Sequence, residues 1–101
     1  MSRWELTEAV KEKYVPIVER YIKEIEEEEF PEDIEALDFS DTELNPYTLW
    51  KLLEGLGYKH DDTDQNGWEM DFWLSFKKDG HKTLTIKGTG ITFSLKLTIR
   101  Q

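Results

Sequence analysis

The last third of the chain alternates apolar and polar residues, and this pattern limits the possible fold more than any other feature. Side chains on a β-strand point to opposite faces with a period of two. The alternation covers residues 68–77, 83–87 and 91–100 and gives one apolar set: Trp68, Met70, Phe72, Leu74, Phe76, Leu84, Ile86, Ile91, Phe93, Leu95, Leu97 and Ile99. It predicts an antiparallel β-meander with one apolar face. Trp73 is the only large apolar residue on the other face.

The first turn of this meander is tested by the alternation, because a slip of one residue sends a strand's apolar set to the wrong face. A two-residue Asp79-Gly80 turn would cause such a slip. A three-residue loop over 78–80, with Gly80 at positive φ, keeps the apolar residues together and pairs Leu74 with Leu84. We therefore expect the three-residue loop.

Two further pairings follow from turn residues. Gly88-Thr89 has glycine where a type II′ turn requires it, which pairs Ile86 with Ile91. A fourth strand over 58–62, joined by a loop over 63–67, pairs His60 with Met70 on the apolar face. The sequence therefore predicts three or four strands in chain order.

The N-terminal segment carries the signals of an amphipathic helix. Ser2 and Glu5 form a capping box, so the helix is expected to begin at residue 3. Apolar residues then recur at helical spacing as far as the glutamate run 26–29, which precedes a proline. Proline in a helix interior costs about 3 kcal/mol. The prediction is helical structure over 3–29 with a break near Pro16.

A second helix over 46–56 is marked at both ends. Asn45 is a good N-cap, Pro46 fits the first helical position, and Gly57 follows the last turn. Between the helices, residues 31–44 hold four scattered apolar side chains that should attach this segment to the core. The fold is expected to be a two-layer α+β domain over 1–101, with N-terminal helices packed on one face of a meander over 58–100.

Composition excludes several classes of protein. The chain has no cysteine, so thiol catalysis, disulfide scaffolds and zinc fingers are excluded. It has neither a run of about 20 apolar residues nor a signal-peptide pattern, which favours a cytoplasmic protein without a membrane segment.

Residues for catalysis are few. His60 is expected to be a hydrogen-bonded edge histidine, and His81 to lie on the outer sheet face without a carboxylate to orient it. Neither a catalytic set nor a cofactor loop is found, so an enzyme is not favoured.

Charge is concentrated in the middle of the chain. The net charge is −9, and residues 24–71 hold seventeen acidic and two basic residues. A field of this sign repels nucleic acid and attracts basic partners. We expect a non-enzymatic domain that docks a basic protein, with the run Glu26, Glu27, Glu28 and Glu29 as interaction residues. The alternative is that this acidity only maintains solubility.

Residues 62–67 match the opening of a calcium loop. Oxygens at alternate positions converge on one cation in such loops, so Asp62, Asp64 and Asn66 are the candidate ligands. The twelfth position should carry a bidentate carboxylate but is Trp73. A calcium-binding or small-ligand domain using the 61–71 loop is therefore the alternative function.

The outer sheet face offers a third possibility around Trp73. One aromatic ring among lysines resembles a stacking platform for single-stranded nucleic acid, but the global charge opposes it. Tryptophan is also enriched at the centres of interfaces. A homodimer through this face, with Trp73 as its anchor, is the other expectation, and otherwise the face should be solvated and rich in threonine.

Overall fold

The computed structural model describes residues 6–66, 71–89 and 94–99, and only the backbone of residues 32 and 64–66. The helices are α1 (Glu8–Glu27), a short 3-10 helix (Pro31–Asp33) and α2 (Pro46–Gly55). The strands are β1 (Leu37–Asp38), β2 (Lys59–Asn66), β3 (Asp71–Lys77), β4 (Leu84–Thr89) and β5 (Ser94–Ile99).

The strands form one antiparallel sheet in the order β1-β5-β4-β3-β2. The expected α+β class with an antiparallel sheet is confirmed, and the N-terminal helix precedes all the described strands, whereas α2 follows β1. The expected three or four strands were wrong, because the described residues form five. The missed strand is β1, whose two residues are too few to show any alternation.

The apolar face of the sheet and the two helices share one core. The described side chains of the expected set are buried at Leu74, Phe76, Leu84, Ile86, Leu95, Leu97 and Ile99, and Phe72 packs at the edge of this core. The helices contribute the residues Tyr14, Val18, Tyr21, Ile25, Leu49, Leu52 and Leu53. Phe39 and Leu44 are also buried, so the segment between the helices is attached to the core as expected.

The register of β3 against β4 differs from the expected one by two residues. Leu74 lies opposite Ile86, and not opposite Leu84. The connection is longer than three residues and includes a turn closed by the His81 N–H donating to the Lys78 carbonyl at 3.0 Å. Gly80 has the expected positive φ, 77°. A shift of two residues leaves every side chain on its own face, so alternation alone does not detect it.

The second turn was placed wrongly. Gly88 lies inside β4 opposite Leu95, and Ile86 pairs with Leu97. The ring of Phe72 covers Gly88 so closely that a Cβ there would be 2.4 Å from the ring carbon Cζ. Glycine is thus required by a cross-strand aromatic ring and not by a turn. The expected partner Ile91 and its neighbour Phe93 lie outside the described residues.

The pairing expected for β2 was also wrong. His60 lies opposite Phe76, and an irregularity of one residue separates it from Asp62, which lies opposite Ser75. Residues 63–66 continue the strand instead of forming the expected loop. The proposed partner Met70 lies outside the described residues, as do Gly67 and Trp68.

Helix α1 is continuous through Pro16, so the expected break was wrong. Its N-cap is Thr7, whose hydroxyl accepts the Val10 N–H at 3.2 Å, whereas the predicted box of Ser2 and Glu5 lies outside the described residues. Pro16 is exposed, while buried residues of one stripe lie both before and after it. Tertiary burial on the stripe offsets the local cost of proline.

Helix α2 agrees with prediction to within one residue. The side chain of Asn45 accepts the Thr48 N–H, and Thr48 Oγ1 accepts the Asn45 N–H in return. At the other end, the N–H groups of Gly57 and Tyr58 donate to the carbonyls of Glu54 and Leu53. This is a Schellman motif, which needs a left-handed residue, and Gly57 has φ 96°.

Two glycines of this segment should respond in opposite directions to alanine. Gly57→Ala forces a Cβ into the left-handed region and to 3.1 Å from Lys78 Cε, so we expect a loss of about 1–2 kcal/mol in unfolding free energy. Gly55→Ala meets nothing within 4 Å and ends a helix, so it should add up to about 1 kcal/mol. Urea unfolding of both variants measures the difference. Equal effects would contradict the C-terminal geometry of α2.

Candidate functional site

The exposed carboxylates from the end of α1 to β1 form what is called here the acidic surface: Glu27, Glu28, Glu29, Asp33 and Glu35. Among the residues that the structure describes, none of these five side chains has an ion-pair partner. Five of the described carboxylates do form ion pairs. Four exposed ones pair with Lys11, Lys13, Lys51 and Lys77, and the half-buried Glu26 pairs with the imidazole of His81. The acidic surface is therefore negative charge without local compensation.

The end of α1 adds to this negative field. The last turn of the helix holds no basic residue, so its free carbonyls carry an uncompensated partial negative charge. Glu28 is already extended (φ −82°, ψ 136°), and Pro31 begins the 3-10 helix. Because the residue before a proline avoids helical backbone, Phe30 leaves the helix axis and projects outward with 54% of its surface exposed. A large aromatic ring therefore lies within the acidic surface.

Glu26 belongs to a different environment from its three neighbours in sequence. Its Oε1 accepts the Lys82 N–H at 3.0 Å and lies 3.3 Å from His81 Nδ1. These contacts attach the last turn of α1 to the β3–β4 connection. Of the four predicted interaction residues, only Glu27, Glu28 and Glu29 therefore contribute to the acidic surface. The expectation that His81 has no carboxylate beside it was wrong, because its partner comes from a helix 55 positions earlier in the chain.

The other predicted histidine has the expected role. His60 stacks on Trp50 with ring centroids 4.5 Å apart and meets Phe76 edge-on. Its Nε2 is 2.7 Å from Thr63 Oγ1. The imidazole is thus packed and hydrogen-bonded at the edge of the core.

A groove of about 520 Å³ adjoins Glu26 and was not found from the sequence. Ile22, Leu56 and Tyr58 supply its apolar lining. Lys78 and Glu26 are among its charged residues, and the imidazole of His81 lies beside Glu26. Lys78 Nζ donates to the Leu56 carbonyl at 2.8 Å and lies 5.5 Å from the Tyr58 ring centre. Because both signs of charge line the groove, its electrostatics select no class of ligand.

Trp73 is half-buried on the outer sheet face, opposite Lys87. The expectation that this face is solvated was wrong near its centre, because Ser75 and Thr85 are only 6% and 4% exposed. A dimer or nucleic acid at Trp73 stays a prediction.

The calcium candidates lie on a strand. Asp62, Asp64 and Asn66 are part of β2, where the backbone is extended and paired with β3. Asp62 Oδ1 accepts the N–H of Thr63 at 2.9 Å. Among the described side chains, no three of the types His, Asp and Glu are grouped so as to hold a metal ion. Calcium binding at residues 61–71 stays a prediction.

Comparison of the chain with protein-family models, with curated proteins and with solved structures finds no match in any of the three. Neither of the described helices is long and apolar enough to cross a membrane. Function is therefore argued from the residues themselves.

Two buried tyrosines should respond differently to loss of the hydroxyl. The Tyr58 hydroxyl is buried and has no hydrogen-bond partner in the described part of the chain, so Tyr58→Phe should be neutral or stabilise by up to about 1 kcal/mol. The Tyr14 hydroxyl donates to Glu43, so Tyr14→Phe should cost about 1 kcal/mol. Thermal unfolding at neutral pH compares them. A larger loss in Tyr58→Phe would contradict the assignment.

The same tyrosine predicts an alkaline dependence of stability. Burial, with a smaller effect of Glu26, raises the pKa of Tyr58 to about 12. The folded chain then keeps a proton that the unfolded chain releases near pH 10, so the stabilisation is complete below about pH 10 and is lost as pH rises toward 12. In Tyr58→Phe the fall in unfolding free energy between these pH values should be shallower. An unchanged slope would overturn this expectation.

Proposed function

We propose that this chain is a non-enzymatic interaction domain whose acidic surface docks a basic protein. The observation that carries the proposal is the set of five exposed carboxylates without ion pairs around the exposed ring of Phe30. An interface of this kind combines long-range attraction, which guides encounter, with an apolar anchor, which holds the complex.

The charges and the ring should have separable roles. The carboxylates and the free end of α1 attract a basic partner over about a Debye length, which is roughly 8 Å at physiological salt. This contribution weakens as salt is added. Burial of Phe30 is apolar and is not screened, so its contribution remains at high salt.

The charge contribution is tested by reversing Glu28 and Glu29 to lysine. We expect the affinity for a purified partner to fall at least tenfold at about 0.15 M salt, and wild-type affinity to fall by a similar factor toward about 0.5 M. The matched control is Glu8→Lys with Glu12→Lys, which changes net charge equally at the other end of α1. Partners captured on the wild-type chain and identified by mass spectrometry supply the ligand for calorimetry.

This design separates binding from folding. Lysines at the C-terminal end of α1 favour the helix dipole, whereas lysine in its first turn opposes it. The test variant should therefore be at least as stable as the control, so its loss of binding would not be caused by unfolding. Partners that bind both variants equally, or that are insensitive to salt, would overturn the proposal.

The anchor is tested by Phe30→Ala. We expect about a tenfold weaker affinity at both salt concentrations, with an unchanged salt slope. Ile17→Ala is the matched control, since Ile17 is 43% exposed in the middle of α1 and lies away from the acidic surface in sequence. If both alanine variants bind like wild type, Phe30 is not part of the interface.

A further inference from the structure

The two edges of the sheet are treated differently. At one edge, β5 pairs with β1, and the closure continues beyond those two residues. The Phe39 N–H donates to the Leu95 carbonyl at 2.7 Å, and the Leu95 N–H donates to Ser40 Oγ at 3.0 Å. Residues 95–97 of β5 are therefore covered on this side by residues 37–40 of the same chain.

The opposite edge is open. β2 is eight residues long and is the last strand of the sheet, with β3 on one side. Across the described ranges, no strand or loop backbone bonds to its other side. On this strand the Thr63 N–H donates to a side chain, the carboxylate of the preceding residue Asp62. An open edge of this length is a template for another extended chain.

The charges on β2 decide which chain can pair there. Asp61 and Asp62 are exposed, and Asp64 follows in the same strand. Asp61 already lies 3.3 Å from Lys77 Nζ, so Asp62 is the exposed aspartate of β2 without an ion pair among the described side chains. Like charges on neighbouring strands are destabilising. Because β2 holds three aspartates and one lysine, a second copy of β2 would add net negative charge to an edge that is already net negative. An added strand that carries lysine or arginine would instead form opposite-charge pairs. The edge is therefore unfavourable for self-pairing and favourable for a basic segment.

We propose that β2 receives an extended, basic segment of a partner protein as a sixth strand. This inference rests on the proposed function, from which it takes the basic character of the partner. It adds that the partner segment is extended and that it binds at the edge of β2.

The probe is a blocked seven-residue peptide of alternating lysine and valine. Its control is the same peptide with N-methyl groups on alternate residues, which keeps the charge and removes the main-chain donors of one edge. On the isotopically labelled full chain, the unmethylated peptide should slow amide exchange at Thr63 at least tenfold and bind at least tenfold tighter than the control. Equal binding of the two peptides, or protection at residues 27–35 instead of β2, would overturn strand addition.

A pair of variants tests the edge from the protein side. Thr63→Pro removes the N–H that donates to Asp62 Oδ1, and proline is tolerated on the open side of an edge strand. Thr63→Val keeps this N–H and loses only the hydroxyl contact to His60. The peptide should bind Thr63→Val like wild type and bind Thr63→Pro at least tenfold more weakly. Equal binding to both variants would count against the inference, and the methylated peptide on wild type decides the matter if Thr63→Pro does not fold.

The two proposals fail in different ways. The Glu28→Lys and Glu29→Lys variant should keep the peptide on β2 while it loses the partner. If that variant keeps the partner, the acidic surface is not the docking site. If the methylated and unmethylated peptides bind equally while the Glu28→Lys and Glu29→Lys variant loses the partner, docking at the acidic surface is supported and strand addition is overturned.

Discussion

Burial of one sheet face against two helices is the constraint on which the rest of this structure depends. The inner residues of β3, β4 and β5 share a core with the stripe of α1 and with the leucines of α2. At about 25 cal/mol per Å² of apolar surface, such a core outweighs the local preferences of single residues. Pro16 shows this, since α1 remains helical through it because the residues before and after it are buried on the same stripe.

This constraint explains which parts of the fold were predictable. Burial selects a face, so the period-two pattern identified every described apolar side chain on the inner face of β3, β4 and β5. Burial does not determine which residues lie opposite each other on neighbouring strands, because a register shift of two residues keeps every side chain on the same face. Leu74 therefore lies on the expected face with an unexpected neighbour, and Gly88 was assigned to a turn although the ring of Phe72 is what requires it. The ends of α2 were easier, since its caps at Asn45 and Gly57 depend on neighbouring residues only, whereas α1 begins at Glu8 and not at the expected residue 3.

The candidate site also has some features that could be predicted from the sequence and others that could not. Exposure of Glu27, Glu28 and Glu29 follows from their place in a charge run, which a sequence displays directly. The different environment of Glu26 does not follow, because its partners at His81 and Lys82 come from a distant connection. The groove beside Glu26 was missed for the same physical reason. It exists only after α1, the end of α2 and the β3–β4 connection have packed together, and no local pattern marks such a meeting.

The aspartates of β2 gain a role from the position of their strand. On an inner strand they would only solvate one face, but β2 is the edge that the sheet leaves open. Charged residues and a local irregularity are the usual means by which edge strands avoid self-association, and β2 has both. An edge protected by charged residues repels chains of the same charge, whereas a proline or a covering loop blocks any added strand. The charged edge therefore excludes identical chains while it admits an extended chain of the opposite charge, and the protection of this edge becomes a basis for specificity.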